Sequence, residues 1–112
     1  MLLFINFFSI YLIFFMTEPF ELTATKALKL IDKNKLSYLE WIESCLGRIK
    51  TREPFIKAFS YIDYTRPIEL AKKCDQIKKK NFGIPFAAKD IIDIEGMPTQ
   101  MGTPFYSENI PC

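Results

Sequence analysis

The segment GIPFAAKDIIDIEGMPTQMG, residues 83–102, contains the strongest structural signal in the sequence. Glycine and proline punctuate both of its ends, and a run of apolar and small residues leads into a single lysine, Lys89. Apolar residues bounded by turn residues indicate a short buried strand followed by a loop. We therefore predict a strand that ends near Lys89 and delivers this charged residue to a site built from the loop.

The chemistry predicted for Lys89 depends on its surroundings. Side chains alternate along a strand, so Lys89 and Asp90 are expected on opposite faces. An apolar environment removes water from an amine and favours its neutral form, which is a base. From these residues alone, an alternative remains open, in which Lys89 is a solvated strand end or half of a surface ion pair.

Several motifs, in order along the chain, resemble the amidase signature family. The segment around Lys89 resembles that around the family's first catalytic lysine: Lys-Asp follows small apolar residues, and Gly-Met-Pro-Thr (96–99) and Gly-Thr-Pro (102–104) come after it. The resemblance extends over roughly residues 21–112. Its upstream motifs are Leu22-Thr23-Ala24, Leu36-Ser37, Cys45-Leu46-Gly47-Arg48-Ile49 and Ala58-Phe59.

The resemblance implies both a fold and a reaction. The implied fold is α/β, a mixed sheet covered by helices, and residues 16–112 would be its incomplete N-terminal part. The implied reaction is hydrolysis of an amide C–N bond by a Ser–cis-Ser–Lys triad, in which Lys89 matches the lysine. Both triad serines and the oxyanion hole are expected in a Gly/Ser-rich segment beyond Cys112, so the chain alone is expected to be inactive. No catalytic role is assigned to its own serines, which are Ser9, Ser37, Ser44, Ser60 and Ser107.

Three functional interpretations are open, of which the first two follow from the resemblance. The first, which the Gly-Met-Pro-Thr and Gly-Thr-Pro motifs favour, is an amidase that acts on a small-molecule amide without a cofactor, a metal or direct nucleic-acid binding. The second is the A component of a glutamyl-tRNA amidotransferase, which would imply partner subunits and a tRNA-linked substrate. The third is a truncated, non-catalytic product that binds a partner or a membrane.

Composition restricts the class of protein. The 112 residues suffice for one small domain, and 49% hydrophobic with 25% charged residues is typical of a globular chain. A net charge of +2 is too small to indicate a nucleic-acid partner. The chain has no histidine, which excludes a Ser-His-Asp triad within it. Its three cysteines lack C-x-x-C spacing, which indicates neither a zinc site nor a disulfide framework.

Residues 1–15 form an apolar leader of different composition. A membrane-spanning helix needs about 20 apolar residues, and no lysine or arginine precedes this run as in a signal peptide. We expect a mis-assigned start, with the protein beginning near Met16 and residing in the cytoplasm. The rival interpretation is a membrane-associating segment.

Three amphipathic helices are predicted after the leader. Thr23 is the expected cap of the first, over about residues 24–33. Ser37-x-x-Glu40 is a capping box that begins the second, which is expected to stop before Pro54. The third is expected to begin near Pro67 and to bury Ile68, Ala71, Cys74 and Ile77.

The remaining segments complete the expected α/β order. Residues 56–62 are predicted to form a strand that pairs, through the third helix, with the strand leading to Lys89. A cluster of lysines between residues 72 and 80 follows the outer side of the third helix. Lysines can bind phosphates, but no stacking aromatics accompany them, so we interpret the cluster as a solvated face.

Overall fold

The computed structural model describes residues 17–77 and 83–112, and these residues are helical at one end and irregular at the other. Three α-helices follow one another: α1 (Ala24–Asp32), α2 (Tyr38–Ile56) and α3 (Arg66–Ile77). Two 3-10 turns flank them, at Pro19–Glu21 and Pro104–Tyr106. The three predicted helices are confirmed. The predicted leader, residues 1–15, lies outside the described residues, so the division into residues 1–15 and 16–112 stays a prediction.

Local side-chain hydrogen bonds explain where the helices begin. The Thr23 hydroxyl accepts the backbone N–H of Lys26 at 3.3 Å, which confirms it as the cap of α1. At α2, the Ser37 hydroxyl accepts the Glu40 N–H at 3.0 Å, and the Glu40 carboxylate accepts the Ser37 N–H at 2.7 Å. The capping box predicted from the sequence is therefore present.

Helix α2 continues past the point where the sequence predicted its end. Pro54 lies inside the helix, which ends only at Ile56. Proline lacks an N–H, but so close to the helix end the loss of one hydrogen bond is tolerated. Lys57 then adopts a left-handed conformation with φ 52°, and its N–H donates to the Glu53 carbonyl at 2.9 Å. This left-handed residue ends the helix.

A small core forms where α2 packs against α3 and the Pro19–Glu21 turn. Tyr38 and Trp41 are the large side chains at its centre, each 4% exposed. The prediction for α3 is right for Ala71 and Cys74, which are buried, and wrong for Ile77, which is 68% exposed. Ile77 is the last residue of α3.

The predicted α/β fold is wrong for the part of the chain that the structure describes, because residues 17–77 and 83–112 contain no strand or sheet. Ile56 is helical, and the rest of the predicted strand 56–62 is irregular. Residues 83–89, predicted to form a buried strand, are irregular as well. The sole pairing described is an isolated antiparallel bridge between Ile94 and Met97.

The physical reason is that side chains satisfy backbone groups that a sheet would otherwise need. The Phe59 N–H donates to the Glu53 carboxylate at 2.8 Å. The N–H groups of Thr65 and Arg66 donate to Asp63 at 2.8 and 3.0 Å. Such local bonds compete with strand pairing, and a single extended segment has no stability without a neighbouring strand.

No helix within residues 17–77 or 83–112 combines the length and the apolar character needed to span a bilayer.

Candidate functional site

The predicted site residue, Lys89, begins a tight turn. Its carbonyl oxygen accepts the N–H of Ile91 at 2.7 Å and that of Ile92 at 2.9 Å. The turn therefore fixes the backbone on the C-terminal side of Lys89. The Lys89 side chain is exposed, so the described residues alone do not provide the apolar environment predicted for it.

Asp90 joins this turn to a second segment ten residues further along the chain. Its carboxylate accepts the Gln100 N–H at 2.7 Å, and its carbonyl oxygen accepts the Met101 N–H at 3.0 Å. The hydrogen bond from Gln100, with further ones from the Ser60 hydroxyl and from the N–H groups of Gly102 and Met101, lowers the pKa of Asp90. Asp90 is therefore tied to the loop.

The segment that Asp90 binds has an unusual backbone. Met101 and Gly102 both lie in the left-handed region, with φ of 55° and 71°. Glycine adopts this conformation freely, whereas a methionine there is strained. The Met101 N–H donates to the Asp90 carbonyl at 3.0 Å, and the N–H groups of both residues contribute to lowering the pKa of the Asp90 carboxyl group.

Thr99 is the buried anchor of the loop, with 1% of its surface exposed. Its N–H donates to the Asn109 carbonyl at 2.9 Å, and the Asn109 side-chain amide donates back to the Thr99 carbonyl at 3.2 Å. The Gly96 N–H donates to the Pro111 carbonyl at 2.9 Å. These bonds close residues 90–111 into one loop unit.

Two contacts attach this loop unit to the chain before α3 and to α3 itself. The Arg66 guanidinium donates to the Glu95 carbonyl at 2.7 Å. The Ser60 hydroxyl donates to the Asp90 carboxylate. Asp63 in turn accepts the Arg66 N–H and stabilises the start of α3; its hydrogen bonds from Arg66 and Thr65 lower the pKa of its carboxyl group. The turn at Lys89 is thus held in place relative to the helices.

The described serines have structural partners rather than the surroundings of a nucleophile. Ser37 is the α2 cap, the Ser44 hydroxyl accepts the Phe20 N–H at 3.1 Å, and Ser60 binds Asp90. Ser107 is exposed after the Pro104–Tyr106 turn. Ser9 lies outside the described residues.

The lysine cluster predicted as a solvated face is described only in part. Lys72 and Lys73 are exposed on α3, as predicted. The rest of the cluster, at residues 78–80, lies outside the described residues.

Other reactive or metal-binding groups are dispersed. Burial raises the pKa of the Cys45 thiol, and Cys74 is buried beside the same core. Among residues 17–77 and 83–112, no group of three or more histidine, cysteine or acidic side chains is arranged to hold a metal ion.

A cavity of about 570 Å³ lies at the start of α2, lined by residues that include Leu36, Tyr38 and Cys74. The helix N-terminus is already occupied there, because the Asp75 carboxylate accepts the N–H groups of Tyr38 and Leu39 at 2.8 and 3.0 Å. Lys89 is not among its lining residues.

The sequence predicted Lys89 and a loop with glycine and proline, but it did not predict the bonds that hold them together. It missed Asp90 as the bridge to Gln100 and Thr99 as the buried anchor. The glycines at positions 96 and 102 were the available signal, since they marked a loop with a specific backbone. No sequence signal near Arg66 indicated that its side chain would contact this loop.

Comparison with known proteins identifies the family. The family model that matches is described as Amidase, and it covers residues 40–112, which include the whole Lys89 segment. The glutamyl-tRNA(Gln) amidotransferase A component of Chloroflexus aurantiacus is 33% identical over 94 residues, 79% of this chain and 19% of the relative. The same component from Methylacidiphilum infernorum is 37% identical over 79 residues, 70% of this chain and 16% of the relative.

A third relative, the corresponding amidotransferase component of Lawsonia intracellularis, is 34% identical over 100 residues, 86% of this chain and 21% of the relative. The chain thus spans about a fifth of the length of the curated relatives it matches. No solved structure is significantly similar to it. Since the family model matches well over half of its residues, the chain belongs to the amidase signature family, the family that the motifs around Lys89 resemble.

Proposed function

We propose that this chain supplies Lys89 as the base of an enzyme that cleaves an amide C–N bond. The observation that supports this most strongly is that the Amidase family model covers the Lys-Asp segment and the loop that follows it. A serine hydroxyl attacks a carbonyl at neutral pH only when a base accepts its proton. The chain lacks histidine, and a lysine can perform this function instead.

The proposed steps conserve protons. The Lys89 amine accepts a proton through one serine, while a second serine attacks the amide carbonyl. Backbone N–H groups stabilise the resulting oxyanion. The proton returns to the departing nitrogen, and water or another nucleophile releases the acyl group. The serines and the N–H groups are expected in the part of the relatives that this chain does not span.

Desolvation of Lys89 is a requirement of the proposal. A lysine acts as a base only when neutral, and exclusion of water favours that state. The Lys89 side chain is exposed among the described residues. The base function therefore requires further residues of an amidase domain to cover it.

A second candidate is a component of an amidotransferase, and the relatives favour it. The three relatives described above are all A components of glutamyl-tRNA(Gln) amidotransferases. In this form of the proposal, the amide is the nitrogen donor for a glutamyl-tRNA acceptor, and partner subunits bind the tRNA. The first candidate is a hydrolase that transfers the acyl group of a small amide to water. Cytoplasmic location is proposed for both.

A chimera tests the base function. This chain replaces the matching segment of the Chloroflexus aurantiacus relative, which supplies the rest of an amidase domain. We expect ammonia release from an amide substrate, loss of it in Lys89→Ala, and retention in Lys72→Ala, which removes an exposed lysine on α3. Turnover by Lys89→Ala would contradict the proposal. The 112-residue chain alone is expected to be inactive.

The substrate separates the two candidates. With its partner subunits present, an amidotransferase should release ammonia from glutamine faster when glutamyl-tRNA is added. A small-amide hydrolase should show the same rate with and without the tRNA.

A further inference from the structure

We propose that Asp90 is a positioning residue for Lys89, an inference that rests on the proposed function of Lys89. The two residues share a peptide bond, so whatever holds Asp90 also restricts the backbone of Lys89. Asp90 is held twice, through its carboxylate to the Gln100 N–H at 2.7 Å and through its carbonyl to the Met101 N–H at 3.0 Å. These hydrogen bonds therefore restrict the position of the Lys89 Cα atom, from which its side chain extends.

The turn at Lys89 needs this support. The Lys89 carbonyl oxygen accepts two N–H groups, from Ile91 and Ile92, and both side chains are more than half exposed. Buried apolar contacts therefore contribute little to holding the turn. The bonds of Asp90 to residues 100–101, at 2.7 and 3.0 Å, connect the turn to the rest of the loop unit more closely than the 3.5 Å contact between the Thr99 hydroxyl and the Ile92 carbonyl.

The chemistry of the carboxylate suits this function. A hydrogen bond from a backbone N–H to a charged carboxylate is about twice as strong as one between neutral groups. The strained left-handed backbone of Met101, with φ 55°, requires compensation of this kind. The Ser60 hydroxyl, which also donates to the carboxylate, extends the connection to the chain before α3.

Positioning matters because proton transfer requires a placed base. A misplacement of about 1 Å can reduce turnover about 10²-fold. Asp90 itself need not touch the substrate for this effect, since it acts through the backbone of Lys89. A residue that merely stabilised the fold would change the stability of all three helices, whereas a positioning residue changes the turn and the turnover rate.

Amide hydrogen exchange in the full chain tests the structural half of the proposal. We expect Asp90→Ala to accelerate exchange at the Ile91 and Ile92 amides about tenfold, with α2 unchanged. Asp90→Asn should have a smaller effect, because its amide oxygen can still accept the Gln100 N–H. The matched control is Asp93→Ala, which removes an exposed aspartate three residues away and should leave both amides unchanged.

Unchanged exchange at Ile91 and Ile92 in Asp90→Ala would overturn the inference. If Asp90→Ala unfolds the chain, the α2 amides will also exchange rapidly. Asp90→Asn then decides, with about threefold acceleration at these two amides supporting the inference and no acceleration overturning it.

Turnover by the chimera tests the functional half. We expect Asp90→Ala to lower kcat about 10²-fold with KM nearly unchanged, and Asp90→Asn to recover most of the rate. Full activity in Asp90→Ala, with Lys89→Ala inactive, would overturn the inference and leave the proposed function standing. Activity in Lys89→Ala would overturn the proposed function itself, so the two failures are distinguishable.

Discussion

The backbone of Gly83 lies against the buried ring of Tyr38. A Cβ atom added at Gly83 would stand 2.7 Å from Cγ of that ring, closer than real Cβ atoms approach other atoms. The ring is at the centre of the core and only 4% exposed. This contact joins the segment leading to Lys89 to the start of α2.

We predict that Gly83→Ala destabilises the chain by about 1–3 kcal/mol, the usual cost of overpacking a well-filled core. The control is Gly47→Ala in α2, where an added Cβ meets nothing within 4 Å. That change should stabilise the chain by about 0.5–1 kcal/mol, because alanine is the better helix former. Urea unfolding followed by fluorescence of Trp41, the single tryptophan, measures both. Equal effects would contradict the close approach.

The Asp75 carboxylate connects two helices by capping α2 from α3. It accepts the N–H groups of Tyr38 and Leu39 in the first turn of α2, where the leading N–H groups of a helix are satisfied from outside it. We predict that Asp75→Ala costs about 1–2 kcal/mol of unfolding free energy, in the range of a lost helix cap. Gln76→Ala, at an exposed neighbouring position, should change it by less than about 0.5 kcal/mol.

The size of the Asp75 effect separates two explanations. If water bound the two N–H groups as well as the carboxylate does, Asp75→Ala would lower the free energy of unfolding no more than Gln76→Ala does. A comparable loss of unfolding free energy in Asp75→Asn would show that both carboxylate oxygens are needed, because an amide offers one acceptor oxygen for the two N–H groups.

The capping box of α2 makes stability depend on pH. Hydrogen bonds from the Ser37 backbone N–H and hydroxyl lower the pKa of Glu40 below its ordinary value of 4.5. The unfolded chain then binds a proton at a higher pH than the folded chain does. This stabilisation is fully present above about pH 4.5 and decreases as the pH falls through the lowered pKa.

We predict that Ser37→Ala raises the pKa of Glu40 only part of the way back, because it removes the hydroxyl donor and keeps the backbone N–H, which is the larger cause of the lowered pKa. Carbon-13 NMR of the Glu40 carboxyl group measures the titration directly. Ser107→Ala, at an exposed serine far along the chain, serves as the control and should not change it. The same titration midpoint in the native chain and Ser37→Ala would contradict the capping box.

Local signals predicted the helices because their determinants are local. The Thr23 cap and the Ser37–Glu40 box each act within four residues, and both are present as predicted. The prediction for the end of α2 was wrong. A proline normally ends a helix, but Pro54 lies so near the end of α2 that one missing N–H matters little.

The prediction of a sheet was wrong for a different reason. A strand depends on partners elsewhere in the chain, and apolar residues alone do not supply them. The Asp90–Gln100 bond was equally out of reach of sequence reasoning, because both residues are common and their contact spans ten positions. What could be predicted was the loop itself, from its glycines and prolines, and Lys89 as its distinctive charge.

The loop unit provides the last prediction, which compares Thr99 with Asn109. The Thr99 hydroxyl lies 3.5 Å from the Ile92 carbonyl, at the limit of a hydrogen bond. Thr99→Val should therefore cost less than about 1 kcal/mol despite complete burial. Asn109→Ala removes a donor at 3.2 Å from the Thr99 carbonyl and should free that backbone.

Local opening of the loop can be measured by hydrogen exchange of the Thr99 amide. This amide donates to the Asn109 carbonyl at 2.9 Å. We expect about fivefold faster exchange in Asn109→Ala, corresponding to about 1 kcal/mol of local stability, and a smaller change in Thr99→Val. If Thr99→Val opened the loop more, the hydroxyl rather than the paired backbone would be its anchor. Because the Asn109 side chain is exposed, its removal leaves no core cavity, and the α2 amides should exchange as in the native chain.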